Sequence, residues 1–369
     1  MKSQGDILYV DDDPEGLLGH ARLKRVNDRF DEYLPDSLNE AAKVAPKANL
    51  WVFDYFTVEH ERNEPSLDGT GRSGLGVFHQ LRRVVGDARP PSVLVSSHLE
   101  AAIGRFDYAR RHIIAEQLGV EWVSAKVAHK PSDPIDEVVA LANAVATIRN
   151  AHRSFGQVKP ARYTAALAQS VLGLPVDVIW SNAAVLDVDS WRPPVSAVPR
   201  DLVAWMVRQV LPHPSFVVRS PHLAARLGIT VSCLTEAIKK KTLLSSMLKG
   251  MSYEGILDGF DGPRWWSAGI DTIAFDIPRD SVARSSYMKR LVAPVVLEEL
   301  LAGDWVVVSN EELVETDELA PVTECVRASD EYFPSQAPPS WVKIEDAKQS
   351  KVLARKVRLE DQAELVAQS

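Results

Sequence analysis

Residues 1 to about 150 alternate between two hydrophobic periods, and that alternation restricts the fold more than any single motif. Short apolar runs read as strands at 7–10 (ILYV), 50–54 (LWVFD), 91–97 (PSVLVSS) and within 120–131 (VEWVSAKVAHKP). Between them lie segments with helical spacing: 14–29, 74–85, 99–117 and 133–151. In 74–85 the apolar positions are Leu75, Phe78, Leu81, Val84 and Val85, one face of a helix. Strands alternating with helices build right-handed βαβ units, and hence a parallel sheet with helices on both faces. In such α/β sheets, functional groups gather at the carboxyl ends of the strands.

Composition sets the remaining bounds. A chain of 369 residues holds two or three domains at roughly 100–200 residues each. The apolar fraction of 46% is that of a globular protein. No stretch reaches the ~20 apolar residues of a membrane helix. The start, MKSQGDILYV, lacks the basic head and apolar core of a signal peptide. The two cysteines, Cys233 and Cys325, have no metal-ligand spacing. A disulfide framework is not expected, and a reducing, cytoplasmic setting is. A net charge of −8 disfavours nucleic-acid binding over the whole surface but allows a local basic patch.

The strand ends carry the chemistry. ILYVDDDP runs a buried-type strand into Asp11, Asp12 and Asp13, three like charges that resist desolvation together. One reading is a solvated turn with helix-capping capacity. The other is a divalent cation. The other strand ends bear on the choice: the 50–54 run ends in Asp54, the next in Ser96–Ser97, and the last at Lys130–Pro131. Three acids, a hydroxyl and a lysine would share one sheet edge. Mg²⁺ suits such a set, because it takes a few hard oxygen ligands and keeps several waters.

In order and placement these residues resemble the receiver domain of bacterial two-component response regulators, over residues 1–151. The resemblance implies a flavodoxin-like (βα)5 fold. It also implies phosphoryl transfer from a histidine kinase or phosphotransfer protein to an aspartate. Asp54 matches the phosphoacceptor, and Asp11, Asp12 and Asp54 match the Mg²⁺ ligands, with Asp12 the more direct of the acid pair. Ser96 matches the switch hydroxyl, and Lys130 the cation at the phosphate. Homodimerisation through one face is a further expectation. Catalysis in such a site is positioning plus charge neutralisation.

Two features depart from that pattern. A long polar loop, YFTVEHERNEPSLDGTGRSG, follows Asp54, and Val127 stands where switching receivers carry an aromatic residue. The loop's GTGRSG fits G-x-G-x-x-G but does not follow the first strand, so it reads as a loop that caps the helix at 74. His98 and His129 flank the strand-end residues and read as exposed loop histidines.

A linker is expected at 152–163 (HRSFGQVKPARY), then a mostly helical α+β output domain over 164–310. Residues 311–369 read as an acidic and Pro-rich segment with a C-terminal helix. HLAARLGITVSCLTEAIKKK, 222–241, resembles a helix-turn-helix, with Ala224 at the helix crossing, Gly228 in the turn and Thr230 as cap. The second helix would run from Val231 to Lys241. Ser232, Thr235, Glu236 and Lys239 would face bases, and Lys240 and Lys241 phosphates. From Arg219 to Lys249 there are six basic residues and one acid. The structural alternative is a helix pair with a solvated basic end. Arg264, Trp265 and Trp266 stand as candidate ligand or partner contacts, or as core anchors beside a Gly-Pro turn. The expected function is phosphorylation-controlled signalling, with DNA-binding transcriptional control as one output. The alternatives are a receiver-gated enzymatic effector and a protein-binding scaffold. No separate catalytic motif is present.

Overall fold

A computed structural model describes residues 5–11, 27–33, 38–55, 74–86, 89–96, 111–125, 133–154, 165–196, 198–301 and 303–367. Among them no helix is long and apolar enough to cross a membrane. The chain forms two compact units that do not follow chain order. One comprises Met1–Leu172, Pro193–Arg208 and Gly255–Gly262, and the other Gly173–Arg192, Gln209–Glu254 and Pro263–Ser369.

The first unit is built on a five-stranded parallel sheet. Its strands are β1 (Ile7–Val10), β2 (Phe30–Tyr33), β3 (Leu50–Asp54), β4 (Ser92–Ser96) and β5 (Trp122–Ala125), in the order β2-β1-β3-β4-β5. This is the doubly wound, flavodoxin-like order. The described helices of the unit are α1 (Leu38–Val44), α2 (Gly74–Val85), α3 (Arg111–Leu118), α4 (Pro134–Ser154), α5 (Ala165–Leu172) and, after the other unit's first segment, α7 (Pro199–Trp205). Strands β1, β3, β4 and β5 are buried along their whole length. Parallel sheets covered on both faces demand this, so their strands show unbroken apolar runs. The edge strand β2 (FDEY) buries only Phe30. Leu8, Val10, Trp51, Phe53, Phe78 and Leu81 pack in one core cluster.

Two later excursions return to this unit. α7 packs on α4. Phe260 meets the Trp122 ring edge-on at 5.1 Å, and the Ile256 N–H donates to the Val171 carbonyl at 2.9 Å. Two buried ion pairs pin the sheet. Arg89 grips Glu121 through bonds of 2.8 and 3.0 Å, and Arg111 grips Glu137 through 3.0 and 2.8 Å. Glu137 also accepts from Trp122 Nε1 at 3.0 Å and Ser124 Oγ at 2.6 Å, so both its oxygens are fully engaged.

The second unit joins helices to a small sheet. Its elements are α6 (Ser181–Ser190), β6 (Val217–Val218), α8 (Ser220–Leu227), α9 (Val231–Lys239), α10 (Leu243–Lys249), β7 (Trp265–Trp266), α11 (Ser267–Asp276) and α12 (Ser281–Val292). β8 (Trp305–Ser309), β9 (Glu315–Pro321), β10 (Cys325–Arg327) and β11 (Trp341–Lys343) form a sheet in the order β10-β11-β8-β9. The acidic ETDELAP run is thus strand β9, with Asp317 and Glu318 exposed. The C-terminal segment is not one helix but three: α13 (Ile344–Gln349), α14 (Lys351–Lys356) and α15 (Gln362–Ala367). Ser350 breaks it, capping α14 by accepting from the Leu353 N–H at 3.2 Å. Leu353 and Val357 are buried there, whereas Val352 is exposed.

Candidate functional site

Strand register brings the acids together. β1 pairs with β3 from Ile7↔Leu50 to Val10↔Phe53, so the next residue, Asp11, falls beside Asp54. Neighbouring parallel strands lie about 4.8 Å apart, which puts two carboxylates at adjoining strand ends. β3 pairs with β4 up to Asp54↔Val95, which sets Ser96 one step further along the same edge. Asp11 is 1% exposed, Asp54 5% and Ser96 0%. The ladders continue past the strands: the Asp11 N–H donates to the Tyr33 carbonyl at 3.2 Å, and the Tyr55 N–H to Val95 at 2.7 Å. Backbone bonding therefore fixes each site residue from at least one side. The Tyr9 hydroxyl donates to Asp11 Oδ2, which orients that carboxylate from two residues back on the same face.

Gly74 completes the described part of the site. It opens α2, and its N–H donates to the Tyr55 carbonyl at 3.1 Å. A Cβ there would stand 1.5 Å from the Asp54 carbonyl oxygen, so only glycine allows this approach. The first turn of α2, with its positive dipole end, is thereby held beside the acid edge. Sequence reasoning did not assign Gly74 to the site. It is the last glycine of GTGRSG, and its role is close approach of backbone to backbone.

Asp12 and Lys130 lie outside the described residues, as do Val127, His98, His129 and residues 56–73 of the long loop. Among the described residues no group of three or more His, Cys, Asp or Glu side chains gathers as for a metal ion. Asp11 and Asp54 contribute two acids. Paired buried carboxylates offer the hard oxygen donors that Mg²⁺ takes, with water filling the remaining positions.

The second unit does have a helix-turn-helix shape at 220–239. Gly228 ends α8 in the left-handed conformation (φ 65°), Ala224 is fully buried, and Thr230 caps α9 by accepting from the Cys233 N–H at 3.1 Å. The exposed face differs from the expected reading surface. Ser232 Oγ donates to Glu298 at 2.7 Å, and Thr230 Oγ1 donates to the same oxygen at 2.6 Å. These two bonds hold the Glu298 carboxyl below its ordinary pKa. Thr235 donates back to the Val231 carbonyl at 2.8 Å, and Lys239 pairs with Glu236 at 3.3 Å. α9 ends at Lys239, not Lys241, because Thr242 starts the next helix by accepting from the Ser245 N–H at 3.3 Å. Lys240 and Lys241 lie exposed in the connecting turn.

Arg264, Trp265 and Trp266 are core residues. They are 4%, 5% and 0% exposed. Trp266 stacks on Phe216 at 5.7 Å and meets the Tyr253 ring at 5.6 Å, while Arg264 donates to the Leu211 carbonyl at 3.0 Å. Their burial agrees with the alternative of core anchors beside the Gly-Pro turn.

Strand order and the buried acid edge define the first unit as a doubly wound α/β domain with the receiver topology. No family model matches the sequence, and no curated protein matches it. Comparison with solved structures returns receiver domains. The beryllofluoride-activated N-terminal receiver domain of RstA from Klebsiella pneumoniae is 23% identical and has a TM-score of 0.22, the match covering 34% of this chain and 87% of that one. A CheY-like receiver protein of Methanospirillum hungatei is 14% identical, covering 39% and 95%, with a TM-score of 0.23. A Burkholderia pseudomallei response regulator, solved with a phosphorylated aspartic acid, calcium and citrate, is 16% identical, covering 56% and 99%, with a TM-score of 0.23. The fold assignment rests on the strand order itself.

Proposed function

We propose that the first unit is a receiver that accepts a phosphoryl group on Asp54 and thereby controls the second unit. The observation that carries this reading is the convergence of Asp11, Asp54 and Ser96, all buried, at the carboxyl edge of a β2-β1-β3-β4-β5 sheet. Asp12 and Lys130 complete the set on sequence grounds. An Asp54 carboxylate oxygen attacks phosphorus in line, an acyl phosphate bond forms, and the bond to the donor breaks. With a kinase phosphohistidine as donor, the imidazole leaves and takes up a proton. Asp11, Asp12 and Asp54 would hold Mg²⁺, which supplies charge neutralisation for the anionic transition state. Lys130 adds a point charge at the phosphate. The Ser96 hydroxyl donates to a phosphoryl oxygen, a contact absent before modification. Such a contact can bias a two-state element. A cytoplasmic location, a histidine kinase or phosphotransfer partner, and a homodimer belong to this reading. Labelling from acetyl phosphate tests it: the label should need Mg²⁺ and be released by hydroxylamine, as an acyl phosphate is. Label that survives hydroxylamine would put the modification on another chemistry.

For the output, the capped α8–α9 pair supports DNA binding, with Lys240 and Lys241 as phosphate contacts. Ser232 and Thr235 do not serve as base readers while they bond to Glu298 and Val231. A gel shift that weakens steeply with salt and is lost in Lys240→Ala/Lys241→Ala would support this output. Binding unaffected by salt and by both changes would direct the search to an enzymatic or scaffolding role.

A further inference from the structure

The amino edge of the same sheet carries a second, oppositely charged feature. A cleft of about 450 Å³ opens between the start of β3, the start of β4, the end of α4 and the start of α7. Its polar lining is Arg89, Arg149, His152, Arg153 and Arg200, with Asn49. Two of these cations are matched by acids: Arg89 by Glu121, and Arg200 by Asp201 at 3.0 Å. Arg149 and Arg153 have no carboxylate partner among the described residues. Arg149 Nη1 donates to Asn49 Oδ1 at 2.6 Å and to the Lys47 carbonyl at 3.3 Å, which leaves its Nε and Nη2 without a protein acceptor there. Among the described residues Arg153 donates to Asn150, three positions earlier on the same helix. His152 Nε2 is buried and has no hydrogen-bond partner among the described residues.

Arg149 and Arg153 stand four residues apart on α4, where like charges repel. Burial, and then the Arg153 charge, push the Arg149 pKa down. Burial likewise lowers His152, so its ring is neutral at pH 7 and can present one N–H. Uncompensated guanidinium forks beside an unused ring nitrogen are a donor set in search of an anion. Arginine forks match phosphate geometry better than a point charge does. The cleft's volume falls within the range of small-molecule sites.

We infer that this cleft binds a small phosphate-bearing anion, held by Arg149 and Arg153 with His152 Nε2 as a third donor. The site is separate from the acid edge and does not depend on Asp54 being phosphorylated.

Isothermal titration of the full chain with pyrophosphate, and separately with ADP, tests the assignment. EDTA is present throughout, so metal at the acid edge contributes nothing. At least one probe should bind with Kd of about 1 mM or tighter. Tighter binding of ADP would mean that an organic group is also recognised, and equal binding would mean that the phosphates alone are. Arg149→Gln/Arg153→Gln should weaken binding by about tenfold or more. Arg153 is exposed, so Arg153→Gln alone leaves the fold intact and should still weaken it several-fold. No binding of either probe, or equal affinity in wild type and both variants, would overturn the inference. So would preference for an acidic peptide over both probes, which would make the cleft a protein-docking site.

Discussion

At the amino edge of the five-stranded sheet, Glu121 is matched by Arg89 in a two-bond fork, and Asp6 by Arg29 through bonds of 2.9 and 2.6 Å. At the carboxyl edge, Asp11 and Asp54 end adjoining strands and share one sign. At the first edge each acid has its arginine among the described residues. At the second, two buried acids stand side by side, an arrangement suited to a divalent cation. A buried acid with its arginine is part of the scaffold. A buried acid beside another acid lowers stability unless the pair does something else.

The largest expected contrast is in stability. Glu121→Gln strips the partner from a buried arginine and should cost about 3–5 kcal/mol. Asp54→Asn removes one of two like charges and should change stability by no more than about 1 kcal/mol, with a gain as acceptable as a loss. Urea denaturation of the two variants reads this directly. Equal losses would erase the distinction between the edges.

Mg²⁺ should act at one edge only. At 100-fold excess over its Kd, a bound ion adds about 2.7 kcal/mol to stability. Wild type should show this shift in thermal melts, and Asp11→Asn should lose most of it. An undiminished shift in Asp11→Asn would move the metal elsewhere.

Gly74→Ala comes next in size. Its methyl group would collide with the Asp54 carbonyl oxygen, so α2 or the end of β3 must shift. The expected cost is about 1–3 kcal/mol, with slower phosphoryl uptake. Wild-type uptake in this variant would show that the close approach does not position Asp54.

The smallest effect is a pH dependence at the amino edge. Burial raises the Asp6 pKa, but hydrogen bonds from Arg29 and Asn49 and the Arg29 charge outweigh it, and the pKa lies below its usual 3.8. A depressed carboxyl pKa contributes stability above the unfolded value, and that contribution is lost as pH falls through the folded value. The pair is partly exposed, so Asp6→Asn should cost at most about 1 kcal/mol at pH 7. The difference from wild type should shrink as pH drops below 3.8. A gap that widens on acidification would contradict the pairing.

What the sequence revealed follows from burial. β1, β3, β4 and β5 were legible because parallel strands covered on both faces are continuous apolar runs. β2 was not, since FDEY at the edge buries one residue of four. The strand-end acids were legible because each follows its strand directly. Gly74 was hidden in a Gly-rich motif that reads only as a loop capping the next helix. β9 was hidden by its acidic, half-solvated face. The tryptophan pair allowed two readings, and burial decided for the core. The amino-edge cleft draws on residues 49, 89, 149, 152, 153 and 200, a separation that no local pattern spans.

Intact mass after incubation with acetyl phosphate and Mg²⁺ tests the central claim most directly, on wild type, Asp54→Asn and Arg149→Gln/Arg153→Gln. The account predicts one added phosphoryl group in wild type and in the amino-edge variant, and none in Asp54→Asn. Equal uptake by Asp54→Asn, or none by any of the three, would contradict it.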